Sequence, residues 1–156
     1  MAESVKGARL APFVKAGQYD ALMLFKDAGL VAASAAATVA AAAKVVDLGT
    51  GLVKACMILD VSAVEVDTND EKYTICVQLS QATGFVDDAT SVTAVMLELG
   101  HATPLLLGAA STPGRYKLYF DNEHDGVLYR YARVYTVVAG TPAAGINYSA
   151  YAVPAA

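Results

Sequence analysis

After residue 52 the chain reads largely as apolar and polar positions alternating on a period of two, separated by short runs rich in Gly, Asp, Asn, Pro and Thr. The clearest run is Val127–Val138, VLYRYARVYTVV. Val127, Tyr129, Tyr131, Arg133, Tyr135 and Val137 fall on one side of an extended chain, and Leu128, Arg130, Ala132, Val134, Thr136 and Val138 on the other. Aromatic and β-branched side chains suit a pleated surface and crowd a helix, so the run predicts one long strand. Apolar groups on both faces predict that both faces are covered, one of them by a second sheet. Arg130 and Arg133 can lay their stems beside the tyrosines while each guanidinium reaches a carboxylate or carbonyl. That pattern fits a structural pair at a sheet rim better than catalysis.

The same alternation predicts further strands over Val53–Val66 (one bent strand or two), Lys72–Gln81, Ser91–Leu99, Arg115–Phe120 and Ile146–Val153, with a short one at Thr103–Leu107. In Lys72–Gln81 the inward set is Tyr73, Ile75, Val77 and Leu79, and the outward set Thr74, Cys76, Gln78 and Ser80. Turn chemistry separates the runs at residues 49–51, 67–71, 108–114, 121–126 and 140–145. No strong amphipathic helix intervenes. The expected fold is all-β, a jelly-roll-like antiparallel sandwich of about eight strands, with the sandwich domain spanning residues 44–156 behind an extended N-terminal arm, residues 1–43.

Within that arm, Phe13, Tyr19, Leu22, Met23, Leu24 and Phe25 are too apolar for a solvated tail and require a surface to lie on. The tract Ala28–Ala43, AGLVAASAAATVAAAA, admits four readings. A secretory leader is disfavoured by the acids before it and its alanine-dominated core. A membrane helix fails on length and hydrophobicity. Alanine favours a helix, but the tract runs without a cap into a strand-like Lys44–Gly49. An extended segment whose small side chains admit another backbone is the preferred reading.

Charge narrows the partners. The 156 residues carry a net charge of −4, and no run of Lys or Arg exists to neutralise phosphates, so nucleic acid is an improbable ligand. Charged residues form only 17% of the chain, leaving a rather neutral surface able to meet other protein subunits. Cys56 and Cys76 are read as reduced, partly buried thiols. A hairpin of 61–66 with 72–77 would put them out of register for a bridge, which stays the minority alternative.

The chemistry-bearing patterns fail one by one. Asp121, Glu123, Asp125 and Gly126 begin like a calcium loop, but Ala132 stands where a bidentate glutamate is required. Asp67, Asn69 and Glu71 share the spacing, but Lys72 replaces the glycine. Gly49-Thr50-Gly51 leads into a strand, with Lys54 at the third glycine's place, unlike a dinucleotide loop. Two histidines, His101 and His124, with no G-x-S-x-G or H-E-x-x-H, leave no triad and no transition-metal set. The expectation is a protein with no catalytic residues, metal or cofactor.

Three pieces in order then carry a likeness: Leu24-Phe25-Lys26-Asp27-Ala28 before a small-residue tract, Val45-Val46-Asp47-Leu48-Gly49, and Tyr129-Arg130-Tyr131-Ala132-Arg133-Val134 followed by Gly140-Thr141. Together they resemble the jelly-roll cement, or decoration, proteins of tailed-bacteriophage capsids. The resemblance covers most of the chain from about Tyr19 onward. It implies a β-sandwich on the outer surface of the virion, seated across joints between major capsid protein subunits and assembled as a homodimer or homotrimer. Under that reading Phe13, Tyr19, Leu22, Leu24 and Phe25 touch shell or neighbour, and Tyr129, Arg130, Tyr131 and Arg133 serve the sandwich and its oligomer contacts. Nucleic acid and membrane are not expected partners. The rival reading is a carbohydrate-binding jelly roll of a fibre or lectin, which the absence of tryptophan weakens and nine tyrosines keep open.

Overall fold

The computed structural model describes residues 23–85 and 91–155. Its elements are β1 (Leu24–Lys26), β2 (Leu30–Val31), β3 (Ala35–Ala36), β4 (Thr38–Val39), β5 (Ala42–Ala43), β6 (Val46–Asp47), β7 (Lys54–Val64), β8 (Lys72–Ser80), β9 (Ser91–Gly100), the helical turn α1 (Ala102–Leu105), β10 (Gly114–Asp121), β11 (Glu123–His124), β12 (Val127–Leu128), β13 (Tyr131–Ala139) and β14 (Ile146–Pro154).

Two antiparallel sheets form the body. One runs β1–β14–β7–β10, with β2 also on β14, and the other β3–β13–β8–β9, with β6 also on β13. β1 and β2 follow one line along β14, from Tyr151 up to Ile146. β3 and β6 likewise share one line along β13, bridged by the Ala37 amide donating to the Val134 carbonyl. Counted this way, the first strand pairs with the eighth, the second with the seventh, the third with the sixth and the fourth with the fifth. That is one long hairpin rolled into two sheets, the strand order of a jelly roll.

Period-two patterning fills the space between the sheets. Tyr73, Ile75, Val77 and Leu79 of β8 are all fully buried, facing Met57, Leu59 and Val61 of β7 and Tyr148, Ala150 and Ala152 of β14. Each large aliphatic side chain removed from water here contributes about 1.5–3 kcal/mol. The Tyr148 hydroxyl, pushed up to about 12 by burial, lies 2.5 Å from the Thr136 hydroxyl, so both buried polar tips are satisfied.

The structure departs from the sequence reading in particular places. Val127–Val138 is broken into β12 and β13 at Tyr129 and Arg130. Their backbone groups are taken elsewhere: the Tyr129 amide donates to the Asn122 carbonyl, and the Arg130 carbonyl accepts from Leu48. Residues 61–66 and 72–77 do not pair, because β7 and β8 belong to opposite sheets. Cys56 and Cys76 are free, buried thiols in separate sheets. Thr103–Leu107 is no strand. His101 caps α1 by accepting the Thr103 amide at 3.1 Å, and Pro104 falls in the first turn, where a missing donor costs nothing.

The alanine tract is extended, as preferred, but it belongs to the body. β4 and β5 form a side hairpin between β3 and β6, joined through Ala40 and Ala41 at φ 51° and 64°. β1 to β3 are members of the two sheets, so the sandwich takes in residues before position 44. Lys26 explains how β1 is anchored. It is 5% exposed, donates to the carbonyls of Asp27, Gly29 and Tyr148 at 2.9 Å each, and lies 4.5 Å from the Tyr148 ring centre. Burial lowers its pKa, opposed by Asp27.

Candidate functional site

Strand directions sort the loops into two ends. β7 starts at Lys54 beside the end of β10 and the end of β14, so residues 48–53 and 122–130 gather at one end, called the hairpin end. Residues 65–71, 101–113 and 140–145 gather at the other, the carboxylate end.

At the hairpin end, β11 and β12 are joined by Asp125 and Gly126 at φ 51° and 78°, the left-handed pair that a two-residue hairpin turn requires. Asn122, fully buried, ties this hairpin to the preceding loop. Its Oδ1 accepts the Val53 amide at 2.7 Å, and its Nδ2 donates to the carbonyls of Gly51 at 3.0 Å and Tyr129 at 2.9 Å. On this frame Leu52, Val127 and Leu128 stand 52%, 39% and 42% exposed.

Beside it lies a rim of paired ions and rings. Arg130 donates from Nε and one terminal nitrogen to both oxygens of Asp47, at 2.9 and 2.8 Å. Asp47 also accepts the Gly49 amide at 2.8 Å, and the Arg130 hydrogen bonds, then that amide, hold its carboxyl down to about 2. The Arg130 guanidinium stands 5.4 Å from the Tyr131 ring centre. On the outer face of β13, Arg133 donates to Gln78 at 2.8 Å and lies between the rings of Phe85, at 4.5 Å, and Tyr135, at 5.1 Å. Arg130 is thus paired with a carboxylate at the rim, and the contacts of Arg133 include an amide and two rings. Tyr129 is half-buried against the core.

Of the proposed arm contacts, Phe13, Tyr19 and Leu22 lie outside the described residues. Leu24 is half-buried opposite Tyr151 on the outer face of β14. Phe25 is corrected: it is 0% exposed in the central core, because alternation along β1 turns it inward, and it offers no surface to a partner. Beyond Leu24 on the same outer face, Cys56, Ile58 and Val153 make a second buried apolar cluster with Tyr151 against it.

The carboxylate end is built from acceptors. Glu65 takes the amides of Ala143, Ala144 and Gly145 at 2.9, 2.6 and 2.5 Å, and these bonds, Gly145's foremost, lower its pKa. Asp70 accepts from Thr68 at 2.7 Å and from the Thr141 amide at 3.1 Å, which lowers its pKa as well. Burial opposes ionisation of Glu71, but the Thr68 hydroxyl and amide, each 2.6 Å from its Oε1, outweigh it. Gly140, at φ 87°, presses against the Asp70 carbonyl where any Cβ would collide.

No family model and no curated protein matches the chain. Among the described residues, no group of three or more His, Cys, Asp or Glu side chains has the arrangement of a metal site. No helix there is long and apolar enough to cross a membrane. What the hairpin end offers chemically is an apolar edge flanked by an ion pair and by guanidinium groups set over aromatic rings. The sequence reading singles out Tyr129, Arg130, Tyr131 and Arg133 but not Asn122, Leu52 or Phe85. Asn122 sits in an acid-rich turn, where a buried amide and a solvated one look alike.

Proposed function

We propose that this protein is a structural cement: a jelly roll that binds the outside of a tailed-phage head across joints between major capsid protein subunits and stabilises the expanded shell. The observation that carries the reading is the hairpin end, where Leu52, Val127 and Leu128 are exposed on a frame held rigid by Asn122 and the Asp47–Arg130 pair. Rigid apolar side chains at a loop tip are costly to leave in water and lose little entropy on binding, as a contact surface requires. The apolar residues of the leading segment, Phe13, Tyr19 and Leu22, would supply a second strap of contact to shell or neighbour. Low charge density suits a seam between neutral subunits.

Cementing of this kind is multivalent. Once one contact forms, the others close at high effective concentration, so modest individual contacts sum to firm attachment. Stabilising the expanded lattice requires tighter binding to it than to the unexpanded one. Cosedimentation with expanded and unexpanded shells of the cognate major capsid protein tests this. Preferential retention on expanded shells is expected, and equal retention on both refutes the stabilising role. Removal of residues 1–22, which spares Phe25 and Lys26, should weaken attachment and leave the sandwich folded.

A second reading rests on Tyr119. Tyr119 is 67% exposed and lines, with Lys54 and Asp121, a cavity of about 220 Å³, an aromatic platform with polar flanks that suits a sugar ring. Binding on a glycan array, abolished by Tyr119→Ala, would favour it.

A further inference from the structure

We infer that the carboxylate end bears a second docking element, the leucine knob of residues 105–107, which inserts into an uncharged apolar cleft on a neighbouring shell subunit. The inference rests on the cement reading and extends it from one contact end to two.

Residues 100–114, GHATPLLLGAASTPG, include no Asp, Glu, Lys or Arg. In their middle Leu106 is 92% exposed and Leu107 56%. Leu106 also sits at φ 54° and ψ 38°, closing α1 in the left-handed region, where glycine or asparagine is the ordinary choice and a leucine side chain is strained. A leucine there is unfavourable for the backbone and unfavourable in water, and nothing in the described fold is gained by it.

The loop that carries it is preorganised. The Leu106 amide donates to Thr103 O at 3.3 Å and the Leu107 amide to Ala102 O at 3.0 Å. The base is clamped by His101 N–H to Glu71 O at 2.9 Å, Ser111 N–H to Gly100 O at 2.9 Å, and Gly100 N–H to the Ser111 hydroxyl at 3.0 Å. His101 accepts the Thr103 amide through Nδ1 at 3.1 Å. An ordered, uncharged apolar projection is the form of an interface anchor that fills a pocket.

Charge chooses the occupant. A bilayer surface is held by basic residues together with a larger apolar area than two leucines supply, and the segment has no Lys or Arg. Two copies meeting knob to knob about a two-fold axis would touch only at their tips. A neutral cleft on a protein subunit meets both the shape and the lack of charge. β7, with 11 residues, separates the two ends by about 35 Å, so one molecule gripping at both ends would bridge two distinct surfaces.

The test is the double variant Leu106→Gly, Leu107→Ser in the full chain. Glycine relieves the left-handed strain, so thermal stability should stay level or rise, while affinity for expanded shells should fall about tenfold or more. Unchanged affinity, with wild-type protein binding the shells, overturns the knob and leaves the cement reading intact. Wild-type protein that ignores the shells overturns both. Two further results also overturn the inference: wild-type self-association in sedimentation velocity that the variant loses, or wild-type binding to phosphatidylcholine–phosphatidylserine vesicles that the variant loses.

Discussion

The two ends of the sandwich solve the same problem with different chemistry. Loops must be tied down after their strands finish, and their backbone donors and acceptors must find partners. The hairpin end does this with a neutral amide, Asn122, which serves two carbonyls and one amide from full burial. The carboxylate end does it with Glu65, Asp70 and Glu71, which collect amides and hydroxyls from residues 68, 141 and 143–145. A buried amide keeps its bonds at every ordinary pH, whereas a carboxylate keeps them only while ionised. The ties made by Asn122 should therefore be indifferent to acid, and those made by Glu65, Asp70 and Glu71 should open in it.

The largest effect is expected at the amide. Asn122→Ala strands the Val53 amide and two carbonyls, costing about 2–3 kcal/mol, with a deficit in urea unfolding that is the same at pH 5 and pH 7. A deficit that changes with pH would mean that the two ends are not chemically distinct.

Acid should act next, on the other end. The folded pKa values of Glu65, Asp70 and Glu71 are lowered, so the native state binds fewer protons than the unfolded chain as these groups titrate. Their contribution is complete above the ordinary carboxylate range and is lost as pH falls through the lower folded values. Hydrogen exchange should show residues 140–145 opening as the pH drops below the ordinary carboxylate range while Val53 and Tyr129 stay protected. Glu65→Gln with Asp70→Asn should weaken the fold at pH 7 and flatten that acid response. Asp47, whose carboxyl is held down to about 2 beside Arg130, should keep its hold on Arg130 and the Gly49 amide until the pH nears that value.

A control between the ends is Tyr148→Phe, which leaves the Thr136 hydroxyl without its partner and should cost about 1 kcal/mol. The folded pKa values of Tyr73 and Tyr148 are about 12 against an ordinary 10, so the native state retains protons that the unfolded chain releases. Stability should decline from pH 10 toward 12, and the phenylalanine variant should decline less. The smallest effect is a gain. Ala40→Asn with Ala41→Gly supplies the residues preferred at two left-handed positions and should raise stability by about 1 kcal/mol, read as a higher melting temperature.

What could be read from the sequence was what is local. Period-two alternation found the inward face of β8, because a one-residue error would have turned Tyr73, Ile75, Val77 and Leu79 to the outside. Turn residues marked the Asp125–Gly126 hairpin. What escaped was pairing over long separations. Consecutive strands β7 and β8 look like a hairpin but cross between sheets, and Asp47 meets Arg130 across 83 positions. Phe25 and Lys26 looked like an arm because β1 is only three residues long, too short to show a period. The residues behind the cement likeness prove to be structural ones. Val46, Ala132 and Val134 are core, Asp47 and Arg130 are a rim pair, and Lys26 is caged. The exposed set at the loop tips, Leu52, Leu106 and Leu128, carried no pattern at all.

The most direct measurement is cryo-electron microscopy of expanded heads, stripped of their cement and mixed with this protein. The account predicts density astride the joints between capsid subunits, with the hairpin end against the shell and residues 105–107 touching a neighbouring subunit. Heads that stay bare, or density confined to a single subunit away from every joint, would contradict it.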